Sequence, residues 1–195
     1  MAFEAIENYG VIGNMESIAL VGMNGSIDFL CYPDFDCPTV FAALLDDQRG
    51  GRFEIRPQMG DMRVRQLYFP DTNILLTRFL AEQGVAELTD YMPIQKDHGQ
   101  PNQIVRMVSV IRGSVTFKMS CQPRFDYAAS DHELESSDHC ATFFPAHKSC
   151  PPMSLYSSVA IERQSQDISA DFRLQAGKPR LLLLEDCGLK ESSQK

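Results

Sequence analysis

Between Gly113 and Pro123 four apolar side chains, Val115, Phe117, Met119 and Cys121, alternate with Thr116, Lys118, Ser120 and Gln122. A period of two marks a β-strand with one buried face, because successive side chains on an extended backbone point to opposite sides. Strand-sized runs recur along the chain, and hardly any stretch carries the period of an amphipathic helix. The sequence has to fold by laying strands beside one another.

The pair that sequence identifies most directly is residues 17–22 (SIALVG) and 26–32 (SIDFLCY), which flank Met23-Asn24-Gly25. Asn-Gly between two such runs is a hairpin signal, since both residues tolerate the left-handed backbone of a tight turn. The stretch then alternates acids with aromatics and is closed by Pro33 and Pro38; residues 39–45 (TVFAALL) have the content of a short helix or turn.

Further strands are expected at residues 52–56 and 62–69, and at 73–81 paired with 85–92 across Glu82-Gln83-Gly84. The strand after Gly113 is expected to pair with residues 103–111, turned back at Arg112-Gly113-Ser114. Residues 127–152 read as a long loop of acids, serines, histidines and prolines with at most one short strand at 141–144. Strands resume at 155–162, 168–174 and 180–185.

About ten strands punctuated by glycine and proline predict an all-β fold, one large antiparallel β-sandwich (a supersandwich) with one short helix. That domain spans residues 1–187, and the polar residues 188–195 form a frayed tail.

A chain of 195 residues that is 44% hydrophobic buries a sizeable core without a metal or disulfide. Its net charge of -8 argues against a phosphate backbone, so nucleic acid is not an expected partner. No run approaches the ~20 apolar residues of a membrane-spanning helix, and the acidic N-terminus is unlike a secretory signal. A cytoplasmic, soluble protein is expected, with its six cysteines as free, mostly buried thiols.

Three groups of residues invite a chemical reading. Asp34 and Asp36 lie two apart, so on an extended segment both carboxylates face one way. An acid pair for glycoside hydrolysis must flank the scissile bond from two sides, so turn capping or contact with a basic partner surface is the preferred reading. His132, His139, Cys140, His147 and Cys150 gather in one loop, but their spacing fits no zinc finger or ribbon. Exposed histidines and partly buried thiols are the expectation there, with no metal and no cofactor. The aromatics Tyr32, Phe35, Phe41, Phe125 and Tyr127 could offer faces to a sugar, yet the chain has no tryptophan and aromatics within strands are usually core. Phosphate-loop, dinucleotide, nucleophile-elbow and zinc-protease motifs are not found in the sequence.

Four segments carry a family resemblance: IENYGVIGN, VGMNGSIDFLCYPDFDCPTVFAALLDD, ELTDYMP and QPRFDYA. In this order they resemble the N-terminal domain of bacterial glycoside hydrolase family 15 proteins, the glucoamylase and trehalase-like enzymes. The resemblance implies a β-sandwich that, in the family, precedes a linker and a catalytic (α/α)6 barrel with two glutamates. The barrel, which would carry out inverting hydrolysis of an α-glucosidic bond, is expected to be absent here.

On this resemblance Asp28, Tyr32, Asp34, Phe35, Asp36, Arg124 and Asp126 form the edge that packs against the barrel or shapes its active-site rim. The expected partner is that barrel, then an α-glucoside; a free-standing carbohydrate-binding module and a self-associating remnant are the alternatives. Phe29, Asp34 and Cys37 stand where relatives often have tryptophan, arginine and serine, and Asn14 and Ala128 replace a common acid and glycine. With the tail at 188–195, these departures point to a truncated or remnant gene, or to a deliberately shortened chain.

Overall fold

The structure is a computed structural model that describes residues 4–94, 101–147 and 150–187. The N-terminal hairpin pairs β1 (Tyr9–Gly13) with β2 (Ile18–Gly22), and β2 with β3 (Ser26–Cys31). The Asn24-Gly25 turn forms as the sequence predicts. Gly25 sits at φ +87 with its N–H on the Gly22 carbonyl at 2.9 Å, and the Asn24 side chain accepts the Ser26 N–H at 3.0 Å. β4 (Thr39–Phe41) adds to β3, and β5 (Phe53–Pro57) pairs with the start of β3. The short helix or turn expected at 39–45 is therefore a strand followed by a turn, closed by the Leu45 N–H on the Ala42 carbonyl at 2.9 Å.

β6 (Arg63–Tyr68), β7 (Leu75–Ala81) and β8 (Gly84–Tyr91) follow as an antiparallel meander, and the predicted pairing across Glu82-Gln83-Gly84 is present. β9 (Gln103–Cys121) corrects the sequence reading. Residues 103–111 and 115–121 are not two strands of a hairpin but one 19-residue strand. Its first half pairs with β8 and β15 (Arg180–Asp186), and its second half pairs with β5 and β14 (Asp167–Gln175). Gly113, at φ +83, marks the passage between the halves, where a Cβ would lie 2.3 Å from the Gln83 carbonyl oxygen. The glycine serves close approach of a neighbouring strand rather than chain reversal.

A second correction concerns the loop expected at 127–152. It contains two paired strands, β10 (His132–Ser136) and β11 (Cys140–Pro145), and β11 pairs on its other edge with β12 (Met153–Ser157). The strands are real because His132, Leu134, Ala141 and Phe143 supply the buried face. The run expected at 155–162 divides into β12 and the short β13 (Glu162–Gln164), which pairs with β14.

Two antiparallel sheets thus share β9. One runs β1-β2-β3-β5-β9-β14-β13, with β4 beside β3; the other runs β6-β7-β8-β9-β15-β12-β11-β10. Their inner faces supply one continuous core that includes Ile27, Phe53, Phe79, Val108, Phe117 and Leu184. This is the predicted all-β sandwich, in which the twist of each sheet lets facing apolar rows interdigitate. The expected tail at 188–195 lies outside the described residues.

The only helical turn among the described residues apart from a 3-10 turn at Ile6–Asn8 is Phe125–Ala128, and it is not a regular right-handed helix. Asp126 (φ 53, ψ 55) and Tyr127 (φ 55, ψ 37) are left-handed, and Ala128 follows at φ 64. No helix among the described residues is long and apolar enough to cross a membrane.

None of the six cysteines forms a disulfide. Cys121 and Cys150 are buried, Cys31, Cys37 and Cys140 partly so, and Cys187 is exposed, so the expectation of mostly buried thiols holds for only part of the set.

Candidate functional site

β3 delivers the chain to Tyr32 and, through a cis peptide, to Pro33. Residues 33–38 then form a turn, with the Cys37 N–H on the Asp34 carbonyl at 3.1 Å, so Asp34 and Asp36 do not lie on an extended strand as the sequence reading assumed. Both carboxylates and the Phe35 ring are exposed, Phe35 to 54%. Donor atoms of Asp34, Asp36 and Cys37 lie within 4.8 Å of one another, which puts both acids on the same side of anything resting on the turn. Partial desolvation first, then the carboxylates of Glu16, Asp36 and Asp186, raises the Asp34 carboxyl above its ordinary range.

The turn is anchored from beneath by Tyr32 and by Asn102, the latter a residue that sequence reasoning did not single out. The Tyr32 ring is buried and its hydroxyl donates to the Asn102 carbonyl. Asn102 in turn donates its side-chain amide to the Pro33 carbonyl at 3.3 Å and accepts from Asn14 at 2.7 Å. Its N–H reaches an Asp186 carboxylate oxygen at 2.8 Å. Asn102 therefore joins the β1–β2 loop, the Pro33 turn and the end of β15. Only distant residues reveal this, so nothing local in the sequence could have marked it. Burial, foremost, and the Asp186 charge push the Tyr32 hydroxyl well above its ordinary value, keeping it a donor.

Asp28 is also inside. It accepts from Ser26 Oγ at 2.5 Å and from the Tyr9 hydroxyl at 2.8 Å, and Arg52 Nε stands 3.8 Å away. Arg52 continues to Asp47, whose carboxyl that hydrogen bond holds below its ordinary range. Asp28 is thus the hub of a polar network on β3.

Arg124 makes a two-pronged pair with Asp167, at 2.6 and 2.9 Å, and its backbone N–H binds the Val40 carbonyl at 2.8 Å. Asp126 and the exposed Tyr127 follow on the left-handed turn, which the Thr39 hydroxyl fastens by accepting the Tyr127 N–H at 2.8 Å. Thr39 ends the segment that begins at Pro33, so the structure brings the 33–38 turn and the 124–128 turn together along β4. Asp34, Phe35, Asp36 and Tyr127 reach solvent from these turns, whereas Asp28 and Tyr32 support them from within.

The histidine and cysteine group of the former loop does not converge. The His132 ring is buried, contrary to expectation, edge-on between Phe125 and Phe143 at 5.5 Å from each, with Nε2 2.8 Å from the Gln166 carbonyl. His139 turns Nδ1 to the carbonyls of Ser157 and Val159 at 3.1 and 3.2 Å. His132, buried with a backbone partner, is a packing group, whereas His139 is exposed as the sequence predicts.

Fold and site together define a large β-sandwich domain whose charged groups brace its own loops and whose shaped end presents acids and aromatics outward. Residues 2–195 match the family described as "Trehalase-like, N-terminal", and the chain belongs to that family. Among curated relatives, the trehalase of Thermoplasma volcanium is 29% identical over 183 residues, which is 92% of this chain and 27% of that protein. Trehalase 1 of Sulfolobus acidocaldarius is 37% identical over 151 residues, 77% of this chain and 25% of its own length. The trehalase of Mycolicibacterium smegmatis is 28% identical over 141 residues, covering 64% of this chain and 21% of the relative. The chain therefore spans about a quarter of the length of the relatives it matches.

Proposed function

We propose that this chain is the non-catalytic N-terminal module of a trehalase-like glycoside hydrolase, of the glucoamylase and trehalase type that cleaves α-glucosidic bonds. The observation that carries the reading is the match to the N-terminal domain family over residues 2–195, beside trehalases of which it covers about a quarter. In this reading the turns at 33–38 and 124–128 pack against the catalytic barrel. Asp34, Phe35 and Asp36 meet the barrel or the rim of its active site, while Asp28, Tyr32, Arg124 and Asp126 hold those turns in place. Free thiols suit a cytoplasmic setting.

The arrangement of the acids supports a non-catalytic role, since Asp34 and Asp36 share one turn and cannot stand on two sides of a glycosidic bond. The test is direct: the purified chain incubated with trehalose or maltose is expected to release no glucose, and glucose release would overturn the reading.

A carbohydrate-binding role is a second reading, favoured by a recess of about 260 Å³ beside the left-handed turn, lined by Arg124, Ser130, Asp131, Gln166 and Asp167. Calorimetric titration with trehalose and maltooligosaccharides decides it, and no heat at millimolar sugar removes it.

A further inference from the structure

A strand at the end of a sheet leaves the N–H and C=O of every second residue without a ladder partner, which invites another strand to add to it. Four strands end the two sheets among the described residues, β1 and β13 on the first and β6 and β10 on the second. Three of them carry exposed charge that opposes an incoming strand: Glu162 and Arg163 on β13, Arg63 and Arg65 on β6, Glu133 and Glu135 on β10. β10 has a further guard, since Arg163 Nη1 donates to the Leu134 carbonyl at 2.9 Å and Gln166 Nε2 to the His132 carbonyl at 2.7 Å. β1 is Tyr9-Gly10-Val11-Ile12-Gly13, with no charge and no proline.

Its edge is closed in another way. The Tyr68 hydroxyl accepts the Val11 N–H at 2.8 Å and donates its own proton to the Val11 carbonyl at 2.9 Å, and the Asn73 side-chain amide donates to the Gly13 carbonyl. Val11 and Gly13 are alternate residues, so these are the groups that β1 turns away from β2. One hydroxyl thus makes both bonds that a residue of a neighbouring strand would make. Tyr68 ends β6, and the loop that follows it is braced by the Phe69 N–H on the Ile74 carbonyl at 3.0 Å and the Thr72 N–H on the Phe69 carbonyl at 3.2 Å. Tyr68 and Phe69 are themselves exposed, so this guard lies outside the core.

We propose that residues 68–73 form a strap that keeps the β1 edge shut, and that the strand it excludes is β1 of a second copy of this chain. Antiparallel pairing of two β1 strands centred on Val11 sets the two Val11 residues opposite each other, where they exchange both of the backbone bonds that Tyr68 now makes. The same register places Tyr9 opposite Gly13 and Gly10 opposite Ile12, so each larger side chain faces a glycine. No charge on either strand opposes the pairing, and the product is a closed two-fold dimer. The strap has this task with or without a catalytic barrel.

The experiment compares the wild-type chain with Tyr68→Phe/Asn73→Ala by sedimentation over a range of concentrations. The wild type is expected to be monomeric, and the double variant to self-associate at least about tenfold more tightly. Val11→Lys, which puts a charge on the opened edge at an already exposed position, is expected to return the double variant to monomer. A folded double variant as monomeric as the wild type overturns the strap. So does a wild-type dimer that Val11→Lys disperses, because the edge is then open already. A dimer of the double variant that Val11→Lys leaves intact overturns β1 as the excluded strand.

Tyr68→Phe alone keeps the ring, so it gives a reading even where the double variant fails to fold. The Val11 amide is expected to exchange its hydrogen at least about tenfold faster in dilute Tyr68→Phe than in the wild type, and to slow again as concentration rises. An amide as slow in the variant as in the wild type overturns the strap, and fast exchange at every concentration overturns the second copy as its occupant.

Discussion

Arg106 and Asp90 lie side by side in the core with both side chains fully buried, Nε donating to Oδ1 at 2.9 Å and Nη2 to Oδ2 at 3.4 Å. Arg106 belongs to the second sheet's part of β9, yet its guanidinium also donates to the carbonyls of Gly25, in the β2–β3 turn, at 2.8 Å, and of Phe53 on β5, both belonging to the first sheet's side. It stacks 4.7 Å above the Phe53 ring as well. One cation thus bolts the two sheets together. Burial pushes the Asp90 carboxyl up, and only the Arg106 charge and hydrogen bond draw it back.

Removing that cation should cost far more than a surface pair would. Arg106→Met leaves a buried carboxylate without its partner, and the expected loss is about 3–5 kcal/mol in urea unfolding. Arg106→Met with Asp90→Leu should be less destabilised than Arg106→Met alone, since no charge is then stranded. It should not regain full stability, because the Gly25 and Phe53 carbonyls each still lose the hydrogen bond that Arg106 donated. Equal stability of the single and double variants would show that the pair is not the source of the loss.

Cys121 makes stability depend on alkaline pH. Burial first, and the Asp167 charge second, push its thiol well above the ordinary range, so the folded protein keeps a proton that the unfolded chain releases near pH 8.5. The unfolded state then binds fewer protons, and stability is fully present below about pH 8.5 and falls as pH rises beyond it, by up to about 1.4 kcal/mol per unit for this one group. Tyr9 and Tyr32, both raised chiefly by burial, add the same sign above about pH 10. Urea midpoints at pH 7.5, 8.5 and 9.5 should decline less steeply in Cys121→Ala, about one proton's worth. With a thiol reagent on the native protein, Cys187 should react at once and Cys121 only as fast as the protein unfolds.

The elements that sequence made legible are those whose pattern is local. Alternation at Val115 to Cys121 and the Asn24-Gly25 turn depend on neighbours within a few residues, and both stand as read. Gly113 was misread because glycine permits a reversal and also permits close approach, and only the distant Gln83 carbonyl distinguishes the two. β11 was legible as the short strand at 141–144, but its partner β10 was hidden because His132 takes an inward position that a pattern search reserves for apolar residues. At the candidate site the exposed acids were visible, while Asn102, which pins their turn from about seventy positions away in sequence, was not.

The left-handed turn offers a way to stabilise the protein. Asp126, Tyr127 and Ala128 are three successive non-glycine residues at positive φ, each held at a cost of about 1–2 kcal/mol. Ala128 makes no side-chain hydrogen bond, so relieving it forfeits little. Ala128→Gly should raise stability by roughly 0.5–1 kcal/mol, the left-handed penalty less the entropy that glycine adds to the unfolded chain. The same replacement at Tyr127 should bring a similar gain while stripping the exposed ring from the proposed barrel-facing end. Melting curves of the two variants check both gains.

Gly25 is the position with least latitude. It adopts φ +87, and a Cβ there would stand 2.3 Å from the Ile55 carbonyl oxygen, a backbone atom that cannot rotate away. Its own carbonyl is doubly used, accepting from Arg106 Nη2 at 2.8 Å and from the Ile55 N–H at 3.1 Å. Gly25→Ala therefore adds the left-handed penalty of about 1–2 kcal/mol and also pushes β3 away from β5, which drags the Arg106 contact with it. A total loss above about 3 kcal/mol is expected, more than the conformational penalty alone. Hydrogen exchange locates the damage: the amides of Ile55 and Phe53 should lose protection together with those around Arg106, while the β10–β11 hairpin at the far edge of the second sheet keeps its own. Uniform loss across both sheets at an unchanged midpoint would contradict a local clash at the β3–β5 crossing, and a loss no larger than the left-handed penalty would show that β5 yields without disturbing Arg106.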